Sequence, residues 1–265
     1  MFNDTKTFFM PDAWVNREID ITVIGAGGTG SALLTELFQM DQLLRSLSNN
    51  AVHLNVTVWD GDTVSPANVG RQAFWSTDIG LNKAQVLVER FNQFGGIDWQ
   101  YRDENAEAKS VLNYSKGLVI TCVDSAAFRN KLAHEGRRRS YYTDNRLWLD
   151  MGNDTHQGQI VLGHFNEHVD GLHLPNVADL YPSLAVAVDD KSQSCSSEQA
   201  LAKQDYGINK AVALNATTLL WQLIRHGSVD RHGGLVDVKQ GSAHPIPISE
   251  SYWAMMGYVS EKTVP

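Results

Sequence analysis

The sequence predicts an α/β protein built on a mainly parallel sheet with helices on both faces. Short apolar runs typical of buried strands alternate with segments that have the apolar spacing of amphipathic helices. The first run breaks into a cluster of glycines at 25–30 and then continues as a helical segment, and two later runs end in an acidic residue. Strands that alternate with helices pair in parallel, because each helix crosses back over the sheet.

The first half of the chain gives a regular series of elements. Apolar residues recur at helical spacing after the glycines, whereas the runs before and after that segment are short and rich in Val and Ile. The predicted elements are a strand at 18–25, a helix at 31–47, a strand at 52–60, a helix near 83–94, and strands near 97–102 and at 117–124.

The second half is less regular and predicts an antiparallel extension of the sheet. Two apolar runs at 146–152 and 156–165 are separated by only a few residues, which favours an antiparallel pair. Residues 166–196 lack a period and predict a long loop, and 208–226 predicts a long helix that stops at Gly227. The tail after Ser242 predicts no element.

Composition excludes several classes of protein. The 265 residues carry a formal net charge of −8, which disfavours non-specific binding to nucleic acid. No apolar run approaches the length needed to cross a bilayer, and the first residues do not resemble a signal peptide. Two cysteines, Cys122 and Cys195, are too few for a disulfide framework or a four-cysteine zinc site. We therefore expect a cytoplasmic protein without a membrane partner.

The glycine turn indicates an anion site. Unpaired backbone N–H groups at the start of a helix face a phosphate, and glycine lets the ligand approach. The glycines at this turn are Gly25, Gly27, Gly28 and Gly30. Glycines alone do not distinguish a dinucleotide such as NAD or FAD from ATP.

The residues that follow the second strand favour ATP. Arg71 and Lys83 suit a triphosphate, whose charge grows as pyrophosphate leaves. Asp124 ends a later strand, where open α/β sheets bind their ligands and where a carboxylate beside phosphates suits Mg²⁺. The other polar candidates within this stretch are Asp60, Asp62, Asn68 and Gln72.

Together these motifs resemble the ThiF/MoeB/HesA superfamily, the adenylating domain of ubiquitin-activating-type enzymes. The resemblance rests on GAGGTG, on DGD followed by NVGRQ, on GLNK and on CVDSAAFRN, in that order. It covers about residues 18–131 and extends more loosely to 225. The stretch SCSSEQALAKQD is also similar to the ThiF-type protein of the PRTRC system.

The resemblance implies a Rossmann-like fold in a single domain over 1–265, with the nucleotide at about 18–131 and the substrate side at about 146–240. It implies that Asp60 holds the ribose, that Asn68, Arg71 and Lys83 contact phosphates, and that Asp124 binds Mg²⁺. Arg129 and Asn130 would be helix scaffolding.

The implied reaction is attack by the C-terminal carboxylate of a small ubiquitin-like or sulfur-carrier-like protein on the α-phosphorus of ATP. Because a carboxylate is already ionised, no protein base is required. The resemblance also implies a homodimer and suggests that the Cys195 thiol accepts the activated acyl group.

The chain departs from the family in two respects, and alternatives remain open. It lacks the paired C-x-x-C motifs, so no structural zinc is expected, and Arg17 is the nearest candidate for the family's upstream arginine. The alternatives are an NAD- or FAD-dependent oxidoreductase and a non-catalytic scaffold that binds a partner. Asp124 could instead cap the helix that follows it.

Overall fold

The computed structural model describes residues 3–138, 145–185 and 205–259. Eight strands form one sheet in the order β10-β9-β7-β6-β5-β2-β3-β4, and two short strands, β1 and β8, pair separately. The strands are β1 Phe8–Phe9, β2 Glu18–Ile24, β3 His53–Trp59, β4 Gln100–Arg102, β5 Leu118–Thr121, β6 Leu147–Asn153, β7 Gln157–His164, β8 Ser228–Val229, β9 Arg231–Asp237 and β10 Ser242–Pro247.

Seven α-helices accompany the sheet within the described residues. They are α1 Gly28–Ser48, α2 Lys83–Gly95, α3 Ala108–Tyr114, α4 Ala126–Arg137, α5 Val177–Leu180, α6 Ile208–His226 and α7 Glu250–Met255. Helix α1 packs against α2 and α6, whereas α4 packs against α3 and α5. Right-handed crossovers place these two groups on opposite faces, because the strand order reverses direction after β4.

The predicted fold class is confirmed. Strands β2 to β6 pair in parallel, and β7, β9 and β10 extend the sheet in antiparallel fashion. All four residues of β5 and the first five of β6 are buried, because helices cover both faces there. The carboxyl ends of the parallel strands therefore meet at one edge, which opens to the candidate site.

Several predicted boundaries were wrong. Helix α1 begins three residues earlier than predicted, at Gly28. Strand β5 ends at Thr121, so Cys122 and Asp124 follow the strand rather than belonging to it. The loop predicted at 166–196 contains α5 and a short 3₁₀ turn at Pro182–Ala185, and its last eleven residues lie outside the described chain. No helix among the described residues has the length and apolar character of a membrane span.

Buried His232 joins β9 to β7 and to α7. Its Nδ1 lies 2.8 Å from the carbonyl oxygen of Leu162, and its Nε2 accepts a hydrogen bond of 2.8 Å from the indole N–H of Trp253. The acceptor role of Nε2 leaves the proton on Nδ1, so the ring is neutral in this arrangement. Burial lowers the pKa of His232 to about 4 from an ordinary value of 6.5.

This lowered pKa predicts a loss of stability in mild acid. Between pH 6.5 and about 4 the unfolded chain binds a proton at His232 that the folded chain excludes. Neutral His232 therefore makes its full contribution to the free energy of unfolding above pH 6.5. That contribution falls as the pH drops from 6.5 to about 4, by at most about 3 kcal/mol. Urea unfolding of wild type and His232→Leu should show a free-energy difference that shrinks from pH 7.5 to pH 4.5. A difference that stays constant with pH would contradict the prediction.

Candidate functional site

Two adjoining cavities open at the carboxyl edge of the parallel strands. The first, which we call the turn cavity, has a volume of about 390 Å³ and is lined by the glycine turn, by the ends of β3 and β5, and by residues of the 60–83 segment. The second, which we call the sheet cleft, has a volume of about 750 Å³ and is lined by the ends of β6, β7 and β9. Asp124 and Asn153 line both, so the two cavities meet between these side chains.

Two glycines of the turn are required by the backbone. Gly25 has a φ of +94°, and a Cβ there would lie 2.9 Å from the carbonyl oxygen of Cys122. A Cβ on Gly30 would lie 1.9 Å from the carbonyl oxygen of Gly25, a distance that no side chain tolerates. These residues therefore make the turn possible whether or not a ligand binds.

The other two glycines have different neighbours. A Cβ on Gly28 would lie 2.8 Å from the amide nitrogen of Asn209, at the start of α6. A Cβ on Gly27 would meet nothing within 4 Å, and Gly27 lines the turn cavity. Gly27 thus leaves open the space in which a ligand would approach the first N–H groups of α1.

Asp60 ties the end of β3 to the glycine turn. Its carboxylate accepts hydrogen bonds from the backbone N–H of Ala26 at 2.6 Å and of Asp62 at 2.8 Å. Burial raises the pKa of Asp60, while these two N–H donors and the charge of Lys83 oppose that rise. The carboxylate keeps lone pairs that can accept hydroxyl groups of a ligand.

Lys83 reaches the turn cavity at the start of α2. Its ammonium lies 2.8 Å from the carboxylate of Asp62, and its side chain is largely buried although that of Asp62 is exposed. Asn82, a residue that the sequence analysis did not single out, connects the start of α2 to the segment at Asp60 and Asp62. Its amide donates to the carbonyl oxygens of Asp60 and Asp62, and its oxygen caps α2 by accepting from the N–H of Gln85. An Asn directly before a helical segment is the signal that could have identified it.

The remaining candidates from the 60–83 segment also line the turn cavity. The side-chain oxygen of Asn68 accepts hydrogen bonds from the backbone N–H and the hydroxyl of Ser65, which fixes a short 3₁₀ turn. The backbone N–H of Gln72 bonds to the carbonyl oxygen of Asn68, and the buried Oε1 of Gln72 has no partner within the described chain. Arg71, between them, lines the cavity as well.

Asp124 is exposed at the junction of the two cavities. No hydrogen bond or ion pair among residues 3–138, 145–185 and 205–259 engages its carboxylate. The suggestion that Asp124 caps α4 is wrong, because Ser125 is the N-cap and accepts the N–H of Phe128 at 3.0 Å. The Asp124 carboxylate is therefore available to a ligand.

The floor of the sheet cleft contains a buried ion pair. Arg129 Nε lies 2.7 Å from Asp150 Oδ1, and the same guanidinium donates to the carbonyl oxygen of Met151. Arg129 thereby fastens α4 to β6. Asp150 Oδ1 also accepts the hydroxyl of Thr121, whereas Oδ2 is buried and has no partner among the described residues.

Three residues that the sequence analysis did not identify meet between the cavities. The hydroxyl oxygen of Thr29 lies 3.0 Å from Asn153 Oδ1 and 2.8 Å from Asn209 Oδ1. Asn153 Nδ2 donates to Asn209 Oδ1 at 3.1 Å. We call Thr29, Asn153 and Asn209 the amide cluster. No short sequence motif predicts the amide cluster, because its members come from α1, β6 and α6.

Cys122 and Arg17 differ in their position relative to the turn cavity. Cys122 lines the turn cavity, and burial raises the pKa of its thiol, which disfavours the reactive thiolate. Cys195 lies outside the described residues. Arg17 is exposed immediately before β2, at the edge of the sheet opposite the glycine turn.

Two histidines in the second half of the chain, His164 and His173, have structural contacts. His164 is buried, and its Nδ1 accepts the backbone N–H of Leu174 at 3.0 Å. Its ring stacks against that of His173, with 5.7 Å between the ring centres. Within the described parts of the chain, no three His, Cys, Asp or Glu side chains cluster in a way that could hold a metal ion.

Comparison with known protein families finds one match to the sequence. The ThiF family profile matches residues 14–139, which span β2 to α4. No curated protein matches the chain. The similarity to the PRTRC protein therefore stays a prediction.

Solved structures share the fold. A structure of PaaA aligns with a TM-score of 0.58 at 14% identity, covering 87% of this chain and 64% of that one. Escherichia coli MccB, solved with ATP, aligns with a TM-score of 0.57 at 13% identity and the same coverage. MccB has also been solved with AMPCPP and MccA, and that structure aligns with a TM-score of 0.54. The chain thus spans about 64% of the length of these proteins.

The glycine contacts predict opposite effects for two equivalent substitutions. Gly27→Ala should leave the melting temperature nearly unchanged, because the new methyl group meets no protein atom within 4 Å. It should weaken the binding of a phosphate-bearing ligand such as ATP at this turn by about tenfold or more, because the methyl group occupies the approach to the α1 N–H groups. Gly30→Ala should destabilise the fold by about 3 kcal/mol, because its methyl group would overlap a backbone carbonyl. Thermal melting and calorimetry would test both, and equal destabilisation by the two variants would contradict the prediction.

Proposed function

Because residues 14–139 carry the sequence pattern of the ThiF family, we propose that this chain is an ATP- and Mg²⁺-dependent adenylating enzyme. Its proposed substrate is the C-terminal carboxylate of a small ubiquitin-like or sulfur-carrier-like protein. The products would be an acyl-adenylate and pyrophosphate.

The observation that carries this proposal is the junction of the two cavities. The turn cavity has the glycine turn at one wall and two cationic side chains, Arg71 and Lys83, in its lining. The sheet cleft leads from the surface to the same point, between Asp124 and Asn153. A chain terminus laid along the cleft would therefore bring its carboxylate to a nucleotide in the turn cavity.

The nucleotide contacts follow from the side chains at each wall. Asp60, held by two backbone N–H groups, would accept the ribose hydroxyls. The first N–H groups of α1 would face a phosphate. Lys83 is paired with the exposed carboxylate of Asp62, and a triphosphate would compete with that carboxylate for the ammonium. Asn68, Arg71 and Gln72 would complete the phosphate side of the cavity.

Asp124 fits a role as a ligand of Mg²⁺. Its carboxylate is exposed in the turn cavity and has no partner in the described chain, and Mg²⁺ commonly binds one or two carboxylates together with substrate phosphates. When bound, the metal would neutralise charge on the phosphates.

Catalysis would then consist of positioning and charge stabilisation. A carboxylate oxygen forms a bond to the α-phosphorus, the bond from that phosphorus to the bridging oxygen breaks, and the electron pair leaves with pyrophosphate. Arg71 and Lys83 would stabilise the charge that grows on the leaving group. The carboxylate arrives ionised, so no side chain needs to remove a proton.

The proposed partners rest on the sequence resemblance and on the neighbours. MccB binds ATP in one structure and AMPCPP together with MccA in another, which supports a site that takes a nucleotide and a second molecule. The homodimer is proposed from the resemblance alone. So is a subsequent step, in which the thiol of Cys195 attacks the acyl carbon and releases AMP.

Calorimetry tests the nucleotide and the metal together. Wild type should bind ATP more tightly with Mg²⁺ than without it and should not bind NAD at comparable concentrations. Asp124→Asn should abolish the gain from Mg²⁺, because the amide has lost the charge that the metal prefers. Asp98→Asn, an exposed change at the opposite edge of the sheet, should retain that gain. NAD binding without ATP binding would favour the oxidoreductase alternative, and MgATP binding without pyrophosphate exchange on any carrier would favour the scaffold.

Thioester formation has its own test. After incubation with MgATP and a carrier that supports pyrophosphate exchange, wild type should form a covalent adduct that thiols cleave. Cys195→Ala should lose this adduct and keep the exchange reaction, whereas Cys122→Ala should keep the adduct because its thiol is disfavoured as a nucleophile. An adduct that persists in Cys195→Ala would exclude Cys195 as the acceptor.

A further inference from the structure

The amide cluster occupies the position where a reacting carboxylate and a nucleotide would meet. Asn153 lines both the turn cavity and the sheet cleft, and Thr29 and Asn209 line the turn cavity beside it. Asp124, the other residue shared by the two cavities, is an acid and would repel a carboxylate. Asn153 is therefore the side chain at the junction that can donate a hydrogen bond to one.

The hydrogen bonds within the cluster fix the orientation of the Asn153 amide. Its oxygen lies at hydrogen-bond distance from the hydroxyl of Thr29, and its nitrogen donates to Asn209 Oδ1. An amide nitrogen carries two hydrogens, so one donor of Asn153 remains after this bond is made. No bond within the described chain uses it. Thr29 and Asn209 thus hold the amide with one N–H to spare.

From this arrangement we infer that Asn153 donates its second amide N–H to the substrate carboxylate, with Thr29 and Asn209 as positioning residues. The inference rests on the proposed adenylation. Of the two carboxylate oxygens, one would attack the α-phosphorus and the other would accept the N–H of Asn153. The bond from Asn153 would therefore aim the attacking oxygen.

A neutral amide suits this reaction better than a cation. During adenylation the oxygen held by Asn153 changes from part of a carboxylate to the carbonyl oxygen of a mixed anhydride. An N–H accepts either as a partner, whereas an ammonium would stabilise the ionised substrate most strongly and raise the barrier from that state. The hydrogen bond would thus persist from substrate to acyl-adenylate.

The cluster also explains one glycine of the turn. A Cβ on Gly28 would lie 2.8 Å from Asn209 Nδ2 and 3.1 Å from Asn209 Oδ1. Any larger residue at position 28 would push this amide away from Thr29 and Asn153. Gly28 therefore makes room for the cluster, whereas Gly27 makes room for the ligand.

A stable mimic of the acyl-adenylate tests the inference without the natural carrier. The probe is 5′-O-(N-glycylsulfamoyl)adenosine, which carries the smallest aminoacyl group, and AMP is the matched ligand without an acyl group. Asn153→Ala should weaken binding of the mimic by about tenfold, the effect of one hydrogen bond, and leave AMP binding unchanged in calorimetry. Thr29→Val should lower the affinity for the mimic in the same sense, and Thr29→Ser, which keeps the hydroxyl, should restore it.

Each other outcome would overturn the inference in a distinct way. If Asn153→Ala weakens AMP and the mimic equally, the residue only maintains the shape of the turn cavity. If it weakens neither, the N–H does not contact the acyl group. If wild type binds ATP and the variants behave like wild type, this inference falls and the nucleotide assignment stands. If wild type binds neither ATP nor the mimic, the proposed adenylation falls with it.

Discussion

The position of the whole site depends on the contact between Gly30 and the carbonyl oxygen of Gly25. A Cβ on Gly30 would come within 1.9 Å of that oxygen, so the chain passes from β2 into α1 in a turn that only glycine permits. This turn brings the N–H of Ala26 to the carboxylate of Asp60. It also places Gly28 against Asn209 of α6. This one backbone contact therefore determines how the glycine turn, Asp60 and Asn209 are placed around the turn cavity.

The proposed reaction would bring two anions together beside that turn. A triphosphate and a carboxylate repel each other, yet Lys83, one of the two cations lining the described turn cavity, is already paired with Asp62. The neighbouring sheet cleft is acidic, with Asp124, Asp154 and Asp237 among its lining residues. Much of the remaining attraction must come from groups without a full charge, namely the N–H groups of α1 and the side-chain amides.

Features that are local in sequence could be predicted for this protein, whereas features that depend on distant residues meeting in the fold could not. Helix α6 was predicted from apolar spacing and from Gly227 as its stop, with the bounds that the structure shows, Ile208–His226. Strands β9 and β10 were missed, because paired glycines in one and prolines in the other break the strand pattern. The glycines, Asp60 and Lys83 were predicted as neighbours because they lie in short motifs, and they line one cavity. The position of Asn153 beside them was not predicted, since it depends on elements that are distant in sequence.

The position of Arg17 bears on the source of the polar groups in the turn cavity. Arg17 precedes β2, whose seven residues span roughly 23 Å, so it lies far from the glycine turn of its own chain. Within one chain, the turn cavity therefore depends on donors that its other elements supply. Asn153 supplies one such donor, and Thr29 and Asn209 hold its amide at the point where the cavities join. In this site, polar side chains from elements that are distant in sequence meet at one point. No single short motif of the chain contains all of them.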